Sequence, residues 1–157
     1  MNDATSTTIQ DGMMEILNQQ KRAYLAEGEV SVATRIDRLD RSVALLKKYG
    51  PRFCESMAGD FGHRSIEQSK MTDIDASIGP LQQARKHVKG WMKSEKRNTM
   101  FPLGLFGSRS RVDYQPLGVI GCISPWNFPV QLTFAPLAGV FSAGNRTMIK
   151  PSEFTPL

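Results

Sequence analysis

In GVIGCISPWNFPVQLTF, residues Gly118 to Phe134, a proline-containing segment separates two apolar runs. The stretch opens with a continuous apolar run, Val119 to Ile123, which predicts a strand covered on both faces, as in a parallel sheet. The following SPWNFP, residues 124–129, interrupts the run with two prolines, a tryptophan and an asparagine. Loops at the ends of core strands are held by a rigid scaffold and carry many functional side chains. We therefore expect this loop to contact a ligand.

The next residues complete a strand-helix-strand unit. An apolar helix is expected after Pro129, ending at residues 143–145, and Thr147 to Lys150 is expected to form a second buried strand. Such a unit forms a right-handed crossover between parallel strands. Ligands of open α/β sheets bind beyond the carboxyl ends of the strands. Both SPWNFP and KPSE, residues 150–153, occupy such ends, so a shared site is predicted.

The first half of the chain is expected to be helical. Residues 1 to about 8 are polar and expected to be frayed, and a lead-in helix is expected from Ile9 to Gly28. An amphipathic helix follows, because apolar residues recur every three or four positions with charged residues between them. The apolar positions are Val32, Ile36, Leu39, Val43 and Leu46, and the charged ones are Arg35, Asp37, Arg38 and Arg41.

Prolines and glycines predict where these helices stop. Gly50-Pro51 is expected to end the amphipathic helix, and a short helix through Phe53 and Met57 follows it. A further helical stretch is expected from about Glu67 to Ser94, kinked or divided at Gly79-Pro80. The alternating run from Ser110 to Tyr114 predicts an exposed or edge strand.

Composition excludes some classes of protein and leaves others open. The 157 residues are 40% hydrophobic, enough for one domain with a core or for part of a larger one. A net charge of +5 suits anionic partners without choosing between nucleotides and nucleic acids. Two distant cysteines, Cys54 and Cys122, do not make a disulfide framework, and the start of the chain lacks a secretory signal, so we expect a cytoplasmic protein. His63 and His87 lack metal-site spacing.

Residues 116–157 resemble the first half of the nicotinamide-binding region of aldehyde dehydrogenases, with PWNFP and KPSE at their usual separation. A weaker helical resemblance runs back to about Val32, and the helical lead is similar to the coniferyl-aldehyde and fatty-aldehyde dehydrogenase class. The resemblance implies an incomplete α/β fold, in which a helical N-terminal segment leads into the first strand-helix-strand unit of a parallel, Rossmann-like sheet. It divides the chain into a lead-in (1–30), a helical part (31–100) and a first βαβ part (101–157) of the cofactor-binding domain.

Asn127 is the candidate catalytic residue. Its carboxamide can donate a hydrogen bond to an oxygen that becomes negative when a nucleophile attacks a carbonyl. Taken alone, the sequence favours another role, in which Asn127 caps the helix that starts near Pro129. The resemblance reverses this preference, because the matching asparagine of the family forms the oxyanion hole.

The resemblance also assigns the cofactor site. Lys150 and Glu153, with Ser152 near them, are implied to hold the adenine ribose, since a carboxylate accepts from both ribose hydroxyls. Glu153 favours NAD over NADP, which stays the alternative. A solvated pair in a turn is the other interpretation of KPSE. The four residues before Asn127 are implied to line the nicotinamide end of the cleft, and they are Ile123, Ser124, Pro125 and Trp126. Phe128 is implied to face the aldehyde entrance.

The resemblance implies an enzyme that oxidises aromatic, coniferyl-type, or long-chain aldehydes to carboxylic acids as a homodimer, without nucleic acid, resident metal or membrane segment. Cys122 does not match the motif of the family's nucleophile, so Cys122 and Cys54 are assigned to packing. The nucleophile and the general base are expected beyond Leu157, which makes this chain alone inactive. Truncation of a complete dehydrogenase is the favoured explanation. A natural short product that binds nucleotides or oligomerises, or a basic RNA-binding protein, is the alternative.

Overall fold

A computed structural model describes the backbone of residues 2–156 and the side chains of residues 8–156. Met1 and Leu157, assigned by sequence to the lead-in and to the βαβ part, lie outside this range. The elements in chain order are α1 (Asn2–Glu27), α2 (Val32–Phe61), α3 (Ile66–Ser69), a π-helical turn (Lys70–Asp75), α4 (Ala76–Trp91), β1 (Glu95–Arg97), a 3₁₀ turn (Leu103–Phe106), β2 (Ser110–Val112), β3 (Val119–Ile123), α5 (Gln131–Ser142) and β4 (Arg146–Lys150). Helices followed by a parallel β-α-β unit confirm the predicted fold class.

The first two helices are longer than expected. Helix α1 already begins at Asn2 rather than near Ile9. Helix α2 continues through Gly50 and Pro51 to Phe61, so the predicted end at Gly50-Pro51 is wrong. Proline removes one helical hydrogen bond, but the buried face of α2 runs on past it to Cys54 and Met57. Gly50 serves close packing instead, because a Cβ there would lie 3.2 Å from Cγ2 of Ile74.

The predicted division at Gly79-Pro80 is also wrong, because α4 runs through both residues. Pro80 lies one turn into α4, so the carbonyl left without its usual N–H is that of Ala76, the first residue of the helix. The helical stretch predicted from about Glu67 to Ser94 is divided earlier, by the π turn at Lys70–Asp75. The predicted strand near Ser110 is confirmed as β2, and its antiparallel partner is β1, which the sequence pattern did not reveal.

The core lies between α2, α4 and α5. Its buried side chains are Leu39, Val43, Leu46, Cys54, Met57, Ile74, Leu81, Ala84, Val130, Leu137 and Ala138. Arg35 was expected on the polar face of α2, yet it is buried. Its guanidinium donates from Nη1 to the carbonyl oxygen of Ser142 at 2.7 Å and from Nε to that of Val30 at 3.0 Å. Arg35 therefore satisfies a carbonyl at the end of α5 and ties that end to α2.

Strands β3 and β4 are parallel neighbours, with Val119 opposite Arg146 and Ile123 opposite Lys150. Helices α1 and α5 cover opposite faces of the pair. On one face Arg146 contacts Glu27 of α1 at 3.1 Å, and on the other the sulfur of Cys122 lies 3.9 Å from the carbonyl oxygen of Leu132. Cover is incomplete, because β4 is half-buried to exposed and Ile123 is 81% exposed. β3 is likewise half-buried to exposed, so the expectations of a fully covered first strand and of a buried second strand are both wrong.

Gly144 offers a test of how α5 is joined to α2. Gly144 has φ +85°, and a Cβ there would lie 2.9 Å from Cζ of Arg35, whereas Gly28 has φ +65° and open space around it. Gly28→Ala should cost about 1–2 kcal/mol for backbone strain alone. Gly144→Ala should cost about 1–3 kcal/mol more, because Arg35 must leave the Ser142 carbonyl. Urea denaturation followed by circular dichroism measures both losses, and equal losses would contradict this role of Arg35.

Candidate functional site

The turns that leave β3 and β4 lie side by side. Ile123 and Lys150 are paired at the strand ends, and the backbone N–H of Ser124 donates to the carbonyl oxygen of Lys150 at 3.0 Å. Two segments separated by more than twenty residues in the chain are therefore in direct contact. The predicted convergence of SPWNFP and KPSE at one edge is confirmed as geometry.

Most of the predicted site residues are accessible at this edge. The exposed ones are Ile123, Pro125, Trp126, Asn127, Lys150 and Glu153, and the buried ones are Ser124 and Ser152. Trp126 keeps about half of its surface exposed and packs against Phe61, with ring centroids 6.2 Å apart. The edge thus presents apolar surface next to polar groups, the usual composition of a ligand site.

The two buried serines are engaged within the chain. Ser124 Oγ lies 2.5 Å from Thr133 Oγ1, and Thr133 Oγ1 donates to the carbonyl oxygen of Pro129 at 2.6 Å. Ser152 Oγ accepts from the N–H of Phe154 at 3.2 Å, which closes the KPSE turn. Both hydroxyls shape the turns, and their contact with a cofactor stays a prediction.

Lys150 and Glu153 form an ion pair on the surface, with 56% and 67% of the side chains exposed. The hydrogen bond from Lys150, then the residue's own backbone N–H and the lysine charge, lower the pKa of the Glu153 carboxyl. Glu153 is therefore ionised at neutral pH. An ionised carboxylate offers two acceptor oxygens, which suits a pair of vicinal hydroxyls.

Asn127 does not cap helix α5. Its side chain is exposed and forms no hydrogen bond among the residues that the structure describes, and only its main-chain oxygen is held, by Nη1 of Arg64 at 2.7 Å. Asp73 takes the capping role instead. Its Oδ1 accepts from the N–H groups of Val130 and Gln131, both at 3.1 Å. The carboxamide of Asn127 is therefore available to a ligand.

Arg64 and Asp73 form a buried ion pair beneath the SPWNFP loop, with 7% and 0% of their side chains exposed. The guanidinium of Arg64 lies 5.1 Å from the ring centroids of both Phe61 and Phe128. Its Nη2 donates to Thr72 at 2.9 Å and to Asp73. Phe128, expected at the aldehyde entrance, is half-buried against this guanidinium.

Neither member of this pair was predicted to be buried or to support the site. Asp73 carried a signal, because it falls at helical spacing in line with buried residues of α4, which are Ser77, Leu81, Ala84 and Val88. An acidic residue on an apolar helix face needs a buried partner. Arg64 carried no such signal, since it lies in the short connection before α3, where arginine is ordinarily solvated.

Neither cysteine has the surroundings of a nucleophile. Cys54 belongs to the core, and burial, followed by the charge of Asp73, raises the pKa of its thiol. Cys122 faces the backbone of α5. Among the described residues no group of histidine, cysteine or acidic side chains could hold a metal ion. Within the same range no helix has the length and apolar character needed to cross a membrane.

Known proteins share the sequence and the fold of this chain. The sequence model of the aldehyde dehydrogenase family matches residues 5–157. The chain belongs to the aldehyde dehydrogenase family. This confirms the resemblance stated from PWNFP and KPSE.

Several individual aldehyde dehydrogenases are similar to the chain in sequence or in structure. It is 54% identical over 145 residues to a probable coniferyl aldehyde dehydrogenase of Caulobacter vibrioides, covering 92% of this chain and 30% of that protein. It is 47% identical over 140 residues to the coniferyl aldehyde dehydrogenase of a Pseudomonas species, covering 89% and 28%. The substrate-bound AldH of Staphylococcus aureus has a similar structure, with a TM-score of 0.84, 30% identity and coverage of 92% and 31%.

These relatives confirm the predicted subclass resemblance and the incomplete fold. The chain spans about 30% of the length of the curated aldehyde dehydrogenases it matches. The chain corresponds to the part of the aldehyde dehydrogenase fold that contains the N-terminal helices and one β-α-β unit.

The buried pair can be tested against an exposed pair of the same type. Asp73→Ala should lower the free energy of unfolding by about 3–5 kcal/mol, because it leaves Arg64 charged and buried without its carboxylate. Asp40→Ala removes the partner of Arg85 from an exposed pair at 2.5 Å, and should cost less than about 1 kcal/mol. Urea denaturation followed by circular dichroism compares the two variants. Similar losses for both would contradict the role assigned to Asp73.

Proposed function

We propose that this chain is the N-terminal, cofactor-side part of an NAD-dependent aldehyde dehydrogenase that oxidises coniferyl-type aromatic or long-chain aldehydes to carboxylic acids. The observation that carries the proposal is the contact between the SPWNFP and KPSE turns, which brings the exposed carboxamide of Asn127 and the ionised carboxylate of Glu153 to one edge. Family membership supports the reaction, and the two coniferyl aldehyde dehydrogenases among the relatives support the substrate class.

Asn127 is the proposed oxyanion donor. When a nucleophile attacks the aldehyde carbon, negative charge develops on the carbonyl oxygen, and a carboxamide N–H that is already oriented stabilises it. The nucleophile and the general base belong to the remainder of the enzyme. We therefore propose that residues 1–157 alone do not turn over substrate, and that they are a truncated portion of the complete protein.

The KPSE turn is the proposed ribose site. Glu153 would accept hydrogen bonds from the ribose hydroxyls, while Lys150, already paired with Glu153, keeps donors for the same sugar. A ribose phosphate would meet the negative charge of Glu153, which favours NAD, with NADP as the alternative. Ile123, Pro125 and Trp126 would line the nicotinamide end, and NAD would supply hydride acceptance when bound.

The complete enzyme is proposed to be a cytoplasmic homodimer. The connection between β1 and β2 exposes a cluster of large apolar side chains, and this supports a protein contact there. They are Met100, Phe101, Leu103, Leu105 and Phe106. The proposed division of the chain remains a lead-in at residues 1–30, a helical part at 31–100 and a βαβ part at 101–157.

A second candidate function is a non-catalytic module that binds RNA. A depression of about 700 Å³ beside β1 and β2 is lined by basic side chains, and this favours an anionic polymer as ligand. They are Lys96, Arg97, Arg109 and Arg111.

Substitutions at the two turns test the enzyme proposal in the complete protein. Asn127→Ala should lower kcat by about 10²–10³-fold with little change in the KM for NAD, because the donor acts on charge that develops during reaction. Glu153→Ala should weaken NAD binding by about 10–100-fold with a smaller change in kcat. Steady-state kinetics and calorimetric titration with NAD separate the two effects.

The chain offers matched controls, which are exposed residues of the same two amino-acid types. Glu95 and Asn98 are exposed on or next to β1, which pairs with β2 and not with β3 or β4, so Glu95→Ala and Asn98→Ala should leave both constants unchanged. An unaltered kcat for Asn127→Ala, alongside normal controls, would remove the oxyanion role.

Calorimetric titration distinguishes the two candidate functions. The complete protein should release or absorb heat with NAD and show no salt-dependent affinity for a random RNA oligomer. RNA affinity that falls steeply as salt rises, with no heat from NAD, would favour the RNA-binding module instead.

A further inference from the structure

Arg64 hydrogen-bonds the main-chain carbonyl of Asn127, the proposed oxyanion donor. Its Nη1 donates to the main-chain oxygen of Asn127 at 2.7 Å, while its Nη2 donates to Thr72 and to Asp73. The planar guanidinium can make these bonds at once because its donors have a fixed fork geometry. Two phenyl rings, Phe61 and Phe128, pack near it at 5.1 Å and fix its plane further.

Asp73 holds the other end of the same loop. One carboxylate oxygen accepts from the N–H groups of Val130 and Gln131, and the other binds Arg64. The backbone from Asn127 to Gln131 is therefore tied at both ends to residues 64 and 73. Since the pair is nearly inaccessible to water, these bonds do not compete with solvent.

We propose that Arg64, held by Asp73, is a positioning residue that orients the carboxamide of Asn127. The inference rests on the oxyanion role proposed above. A donor accelerates reaction only when it is oriented before charge develops, and an error of about 1 Å in position can cost about 100-fold in rate. The contact made by Arg64 lies on the main chain of Asn127 itself and leaves the carboxamide without a partner among the described residues, so it fixes the donor without occupying it.

The test is a double-mutant cycle in the complete protein. Arg64→Met alone would leave Asp73 charged and buried, so it is combined with Asp73→Asn, which keeps a side-chain oxygen for the amides of α5. This paired variant should lower kcat by about 10–100-fold and change the KM for NAD by less than about twofold. The expected signature is non-additivity with Asn127→Ala.

In the Asn127→Ala background the paired variant should lower kcat by less than about threefold, because the donor that Arg64 positions is already absent. Arg64→Lys should give a kcat between those of the native protein and the paired variant, because it keeps the charge and one donor. The control Arg38→Met breaks a pair with Glu27 near the start of β4, at the far end of the sheet. Its effect on kcat, if any, should multiply with that of Asn127→Ala.

The outcomes separate the two proposals. If Asn127→Ala lowers kcat but the Arg64 effect multiplies with it, or if the paired variant keeps native kcat, the positioning role is wrong and the oxyanion role stands. If Asn127→Ala leaves kcat unchanged, the oxyanion role itself is wrong. If the paired variant does not fold, Arg64→Lys replaces it in the cycle with Asn127→Ala, because lysine retains the buried charge. A non-additive effect on kcat supports the positioning role. An unchanged kcat, or effects that are fully additive in free energy, would overturn it.

Discussion

The buried ion pair between Arg64 and Asp73 is the constraint on which the geometry of the candidate site depends. Removing two charges from water costs several kcal/mol for each ion, and only close pairing with further hydrogen bonds offsets it. Here the further bonds go to Asn127, Val130 and Gln131, at the end of the loop and the start of α5, more than fifty residues away along the chain. Any other position of the loop would remove these additional hydrogen bonds from a buried pair that needs them. The pair thus selects one loop conformation, whatever its net effect on stability.

The pair depends in turn on an irregularity in the helix beneath it. In the π turn Lys70–Asp75, the adjacent residues Asp73 and Ile74 are both buried, one towards the loop and the other against α2. A widened turn changes which residues share a face. Ile74 fits because α2 has a glycine at position 50. Packing between α2 and the π turn therefore determines where the carboxylate lies, and the carboxylate determines where α5 starts.

The sequence predicted the parts of this arrangement that follow from local patterns. The apolar run after Gly118, the proline-rich break and the next strand predicted the β-α-β unit and the meeting of its turns. The helix end predicted at Gly50-Pro51 is wrong because tertiary packing keeps α2 helical there. The division predicted at Gly79-Pro80 is wrong because Pro80 lies near the start of α4. The burial of Arg35 and Arg64 could not be predicted, since each bonds carbonyl groups that are distant in the chain and leave no spacing pattern.

The same constraint decides what kind of group this edge can bind. The N-terminus of a helix ordinarily attracts phosphate, because its free N–H groups carry partial positive charge. At α5 the amides of Val130 and Gln131 are already bound to the Asp73 carboxylate, whose negative charge opposes an anion. The lysine at the edge, Lys150, is likewise paired with a carboxylate. Neither the start of α5 nor Lys150 therefore gives this edge an unpaired positive charge, and the exposed polar groups there include the Asn127 carboxamide and the Glu153 carboxylate.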